Sequence, residues 1–260
     1  MIAERSGAAM LELIKVSKEF RTGFLGRNIT HAVIDASLCV DRGEIVGLIG
    51  ESGCGKSTLG RIAVKLLMPS RGRIILDGVD VTDMPENQFR KFRRQMQIIF
   101  QHPETALDPQ FTLVESILES FNKIGIPKEK QRELLEEISE EVNLPLDIVD
   151  RHPNQVSGGE IQRAVLTRVF AFKPRYLILD EPTSMLDVSV QAHILQLLKR
   201  KAKQDNMGML FISHDLEVIR AMCDRVAVMK EGMILEEGMV KEIFNSPKSC
   251  YMSQLIENNV

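Results

Sequence analysis

The sequence predicts an α/β fold: a mainly parallel sheet core with an antiparallel edge sheet and an inserted α-helical subdomain. Three observations predict it. Toward both ends of the chain, short apolar runs alternate with amphipathic stretches, the rhythm of strands joined by helices that cover both faces of a parallel sheet. Between them, residues 102–170 are mostly helical in pattern. Third, the apolar run Ile45-Val46-Gly47-Leu48-Ile49 leads at once into the glycine-rich Gly50-Glu51-Ser52-Gly53-Cys54-Gly55-Lys56-Ser57-Thr58 and then a helix-like stretch over 59–67.

Each element follows in order. Residues 10–20 alternate as an edge strand, 31–40 read as a second strand, and 21–30, with two glycines, as the hairpin loop between them. The turn Asp41-Arg42-Gly43 feeds the buried strand before the glycine-rich loop. A short strand at 73–76 closes on Asp77-Gly78; a helix at 86–94 and a strand at 96–100 follow. In the helical block, 113–121 carry an apolar stripe. The stretch 128–142 places Leu134, Leu135, Ile138 and Val142 at helical spacing behind Pro127, where proline is tolerated. Residues 151–155 read as a loop and 159–170 as a helix. After Pro174 come a strand at 176–180, an amphipathic helix at 188–203, strands at 207–212 and 225–229 around a helix at 216–222, a small strand pair at 233–235 and 236–238, and a closing helix near 241–244. The expected division is 1–101 and 171–245 for the two parts of the sheet core, 102–170 for the helical subdomain, and 246–260 for a short tail.

Composition narrows the class. With 44% hydrophobic and 27% charged residues the chain is an ordinary globular sequence, and a formal net charge of -3 gives no electrostatic reason to expect nucleic acid. The basic clusters at 90–94 and 199–201 read as solvated helix faces. The 4 cysteines, Cys39, Cys54, Cys223 and Cys250, form no C-x-x-C pair and no metal-ligand spacing with histidine, so reduced thiols in a cytosol are expected. No apolar run approaches bilayer length and no secretory signal opens the chain, so a membrane role is expected to come through a partner. The 13 methionines are scattered and read as core filler.

The glycine-rich segment fits G-x-x-x-x-G-K-[ST], a phosphate-binding loop. Glycines turn backbone N–H groups toward phosphate oxygens and a helix N-terminus adds a favourable dipole. Lys56 can reach β- and γ-phosphates and Ser57 can ligate Mg²⁺. Cys54 reads as a small filler within the loop, at a point where oxidation or alkylation would obstruct nucleotide. At the end of the strand at 176–180, Asp180 suits a water-mediated Mg²⁺ contact and Glu181 suits a general base for the attacking water.

Val156-Ser157-Gly158-Gly159-Glu160-Ile161-Gln162-Arg163 resembles the signature motif of ATP-binding-cassette ATPases, LSGGQ-x-QR. Ile99-Phe100-Gln101 resembles that family's Q-loop, Ser184-Met185-Leu186-Asp187 its D-loop, and Phe211-Ile212-Ser213-His214-Asp215 its switch-histidine loop. The resemblance runs from Leu11 to about Ile256. It implies a RecA-like P-loop NTPase core that binds ATP and Mg²⁺. It also implies a head-to-tail dimer in which Ser157, Gly158 and Gly159 meet the γ-phosphate held by the other subunit. His214 would orient water, Gln101 would offer an oxygen to Mg²⁺ and sense the γ-phosphate, and Asp187 would face the partner. Glu160 departs from the usual glutamine. For the aromatic that stacks on adenine, Phe20 is the candidate and Phe24 the substitute.

The text at 95–109 and the tail Ser246-Pro247-Lys248-Ser249-Cys250-Tyr251 are similar to the peptide/nickel importer group. Longer members continue with a cysteine-bearing extension; this chain stops at Val260, which leaves peptide and nickel or metal-chelate cargo both open. The resemblance implies a second ATPase subunit, the same chain or a sister. It further implies two integral membrane permease subunits contacting residues 101–112, an external solute-binding protein, no nucleic acid, and a peripheral location on the cytoplasmic face of a prokaryotic membrane. Two alternatives stand beside it. One is a soluble cassette ATPase acting on DNA or ribosomes, which usually carries coiled-coil arms, zinc modules or tandem cassettes. The other is a nucleotide-binding regulator without turnover, against which Lys56, Asp180, Glu181 and His214 argue.

Overall fold

The computed structural model describes residues 10–22, 28–184 and 186–257. It contains ten strands in two sheets among the described residues. The first sheet orders β2 (Asn28–Asp41), β1 (Met10–Thr22), β4 (Arg71–Leu76) and the two-residue β5 (Val79–Asp80), all antiparallel. The second orders β10 (Met233–Met239), β9 (Arg225–Lys230), β3 (Ile45–Ile49), β8 (Gly208–Ile212), β7 (Tyr176–Asp180) and β6 (Met96–Ile99). Strands β9, β3, β8 and β7 run parallel, and β10 adds an antiparallel edge. The expected α/β class, with a parallel core and an antiparallel edge sheet, is what forms. Every residue of β3, β7 and β8 is buried, which is why these strands read as unbroken apolar runs.

The chain divides into two compact units. One comprises residues 1–98, 175–180 and 202–260; the other comprises 99–174 and 181–201. In the first unit, α1 (Lys56–Ala63) lies against the parallel sheet, with Leu59 and Ile62 buried among Leu48, Ile178 and Ile212. Gly60 permits the close approach, since a Cβ there would lie 2.9 Å from Ile212 Cδ1. Helix α2 (Glu86–Arg93) buries only Phe89 and exposes its basic residues, as a solvated face should.

The second unit is a helical cluster of α3 (Leu113–Ile124), α4 (Lys128–Val142), α5 (Gly158–Phe170) and most of α6 (Val188–Gln204). Thr112 and Glu115 form a capping box on α3, and Asn143 ends α4 in the left-handed region at φ 55°. Arg163 donates to the carbonyls of Val142 (2.7 Å) and Asn143 (3.2 Å), tying the C-terminus of α4 to α5.

Several local expectations are corrected. Helix α1 begins at Lys56, within the residues that looked like loop, and stops at Ala63 because Lys65 takes φ 55°. Residues 233–239 form one bulged strand, not a pair. A turn of 3₁₀ helix occupies Pro153–Gln155. Helix α7 (Leu216–Met222) and α8 (Val240–Asn245) stand near their expected places, but α9 (Cys250–Glu257) was not anticipated. Lys201 is not solvated: its ammonium lies 2.6 Å from the Glu141 carboxylate and 5.4 Å from the centre of the Phe170 ring.

Candidate active site

The loop between β3 and α1 is shaped by close backbone approaches. Gly50 stands at φ 152° and Gly55 at φ 111°; a Cβ on either would lie 2.1 Å from a carbonyl oxygen, that of Met229 or of Ala32. Both positions therefore require glycine. The Gly232 N–H donates to the Cys54 carbonyl (2.9 Å), so the turn between β9 and β10 also supports the loop. No side chain caps α1, so its first N–H groups are left to an anion in the loop. Lys56 is 6% exposed; its ammonium donates to the carbonyls of Gly50 (2.7 Å) and Glu51 (2.8 Å). Burial pushes the Cys54 thiol above its ordinary value, and the nearby Lys56 charge only partly opposes that shift.

At the end of β7, Asp180 is 4% exposed and accepts a 2.9 Å hydrogen bond from the Ser57 hydroxyl. Two hard oxygen donors thus meet beside the loop, a set suited to Mg²⁺, which binds through one or two protein oxygens, water and phosphate. No cluster of three or more His, Cys, Asp or Glu stands ready to hold a metal alone among the described residues. In the same unit, His214 lies just beyond β8, where the Ser213 N–H donates to the Leu48 carbonyl and Asp215 caps α7. His214 lines a cleft of about 410 Å³ with Glu217, Arg220, Phe244 and Ile256.

In the other unit, the Gln101 amide donates to the Glu181 carboxylate (2.9 Å). Glu181 holds φ 50°, in the left-handed region, a conformation that costs energy for a residue with a side chain. Ser157 caps α5. Its hydroxyl and N–H donate to the Glu160 carboxylate (2.8 and 2.7 Å), while the Glu160 N–H donates back to the hydroxyl. The Ser157 N–H, then its hydroxyl, hold the Glu160 carboxyl below the usual range. Glu160 thus completes a capping box, a role that glutamine at the same position can also fill. Gly159 is required by packing, since a Cβ would lie 2.8 Å from Val190 Cγ1, whereas a Cβ on Gly158 would meet nothing closer than 3.9 Å. Asp187 is exposed at the start of α6, and its neighbour Val188 is 83% exposed.

The structure therefore brings together Lys56 with the loop carbonyls, Ser57 with Asp180, and Gln101 with Glu181. Phe20 is half-buried, its ring centre 5.5 Å from the Lys18 ammonium. Phe24 and Met185 lie outside the described residues. Sequence reasoning missed Tyr251, whose hydroxyl accepts a 2.9 Å hydrogen bond from the Glu51 N–H. No spacing rule signals a contact between residues so far apart. The Glu160 box was signalled, by the S-x-x-E pattern.

Residues 33–184 match the ABC transporter family profile. A peptide import ATP-binding protein of Brucella ovis is 38% identical over 249 residues, spanning 95% of this chain and 77% of that protein. The oligopeptide transport ATP-binding protein AppF of Bacillus subtilis is 38% identical over 255 residues, 96% of this chain and 78% of its own length. Among solved structures, the dimeric ATP-binding cassette MJ0796, in a post-hydrolysis state bound to ADP and Pi, superposes with a TM-score of 0.80. It is 29% identical and covers 88% of this chain and 98% of its own.

Proposed function

The chain belongs to the ABC transporter family as an ATPase, and from that premise we propose that it powers peptide import through separate permease subunits. The observation that carries the catalytic part is the Ser57–Asp180 pair at 2.9 Å beside a loop that encloses Lys56.

Lys56 exchanges the Gly50 and Glu51 carbonyls for β- and γ-phosphate oxygens, and the uncapped N–H groups of α1 hold the β-phosphate. Ser57 and Asp180 would hold Mg²⁺, which would supply positive charge beside the phosphate oxygens. Glu181, positioned by Gln101, takes a proton from the attacking water, and His214 orients that water toward the γ-phosphate. Phosphoryl transfer asks for positioning and charge stabilisation more than covalent chemistry, and these groups supply both.

Ser157 and the N–H groups of Gly158 and Gly159 engage the γ-phosphate held by a second ATPase subunit. The exposed Val188 beside Asp187 supports an apolar contact with that partner. Phe111, 47% exposed and close in sequence to Gln101, supports a permease contact over 101–112. The peripheral place of the chain against the permeases on the cytoplasmic face is supported by its relatives' role in peptide import; no helix is long and apolar enough to cross a membrane among the described residues. The peptide and oligopeptide transport roles named for the relatives favour peptide over nickel or metal-chelate cargo.

The test is uptake. A strain lacking this chain should lose accumulation of a labelled oligopeptide and keep that of labelled nickel. Wild-type chain should restore peptide uptake, and Glu181→Gln should not. Unchanged peptide uptake in the deletion strain would count against this reading.

A further inference from the structure

Helix α9 reaches the phosphate loop. Its N-terminus is anchored by Glu236, only 9% exposed, whose carboxylate accepts the N–H groups of Lys248 (2.9 Å) and Ser249 (3.1 Å) and the Ser249 hydroxyl. Ser249 in turn accepts the Met252 N–H (3.1 Å), and Met252 is fully buried. That anchoring fixes Tyr251, which is 6% exposed, with the Lys230 ammonium 4.7 Å from its ring centre and its hydroxyl on the Glu51 N–H.

The Glu51 N–H and the Gly50 carbonyl belong to one peptide unit. In a planar trans peptide these two groups point in opposite directions. Tyr251 holds the N–H side at 2.9 Å, while Lys56 holds the carbonyl side at 2.7 Å. A rotation of that plane would break both bonds together. Gly50, with no Cβ and φ 152°, gives the plane little intrinsic resistance to rotation, so its orientation depends on what grips it. Burial raises the pKa of the Tyr251 hydroxyl, which keeps it a neutral partner at physiological pH.

We infer that Tyr251 is a positioning residue for ATP binding: through the Gly50–Glu51 peptide it sets the first turn of the phosphate loop and the resting place of Lys56. The inference rests on the proposed nucleotide role of the loop. Tyr251, within the stretch that reads as a tail in sequence, thus takes part in shaping the nucleotide site.

Tyr251→Phe keeps the ring, its packing and its contact with Lys230, and removes only the hydroxyl. The probe is Mg·ATP, by equilibrium titration and by steady-state hydrolysis, with Lys56→Ala and thermal melting in parallel. Tyr251→Phe should weaken ATP affinity and raise KM about fivefold, the equivalent of one neutral hydrogen bond, with kcat within about twofold and the melting temperature nearly unchanged. Wild-type or tighter ATP affinity in Tyr251→Phe, alongside lost binding in Lys56→Ala, overturns the inference and leaves the proposed function standing. Weaker affinity that merely follows a large fall in melting temperature also overturns it. Wild-type binding in Lys56→Ala overturns the proposed function itself.

Discussion

Ser57→Ala separates the structural from the metal-binding work of one hydroxyl. That hydroxyl donates at 2.9 Å to a carboxylate that is 4% exposed. A hydrogen bond to a charged group contributes about 1.5–3 kcal/mol when the acceptor is desolvated. Asp180 has a further interaction, so the loss falls at the low end, about 1.5 kcal/mol. For a chain of this size that lowers the melting temperature by roughly 3–6 °C. A second effect adds to it with ligand. At a Mg·ATP concentration of about one hundred times Kd, binding stabilises the wild type by about 2.7 kcal/mol. A tenfold weaker complex would leave about 1.4 kcal/mol. The assay is thermal unfolding with and without Mg·ATP, and Ser57→Thr, which keeps the hydroxyl, should restore both effects. A Ser57→Ala protein that melts with the wild type and shows the full Mg·ATP shift would refute the reasoning.

Two further predictions concern charge. Glu160→Ala should destabilise the start of α5 by about 1 kcal/mol through loss of the capping box, while Glu160→Gln should keep the box. The carboxyl of Glu160 is held below its ordinary value, so its contribution is complete above the usual glutamate pKa and fades as pH falls through the lower folded value. Melting profiles from about pH 6 to about pH 3 should show that loss in the wild type and a flatter profile in Glu160→Gln. Cys54 is buried and its thiol pKa raised, whereas Cys250 is exposed. Maleimide at neutral pH should therefore label Cys250 well before Cys54, and bound ATP should slow Cys54 further; equal labelling rates would contradict this.

Much of the fold was legible because its central strands are buried on both faces. Strands β3, β7 and β8 appear as continuous apolar runs, and the glycines of the phosphate loop mark where the first of them ends. The acid at the end of β7 was readable for the same reason. Local chemistry hid other features. Gly55-Lys56-Ser57-Thr58 looks like loop by propensity, yet Lys56 opens α1. The acidic Glu236-Glu237 pair suggested a break. Glu237 instead pairs with Arg225 beside Glu44, and Glu236 holds the start of α9, so both fit within β10. Lys201 looked solvated because its partners, Glu141 and Phe170, are distant in sequence. The grip of Tyr251 on the Glu51 N–H has the same origin: tertiary contacts across the chain leave no local periodicity.

The most direct measurement is single-turnover ATP hydrolysis by Glu181→Gln beside the wild type, with Mg·ATP affinity measured on the same samples. A positioned general base contributes roughly 10²–10⁴-fold to rate. The expected result is affinity close to wild type and hydrolysis slower by at least about a hundredfold. Hydrolysis by Glu181→Gln at the wild-type rate would contradict the account at its centre.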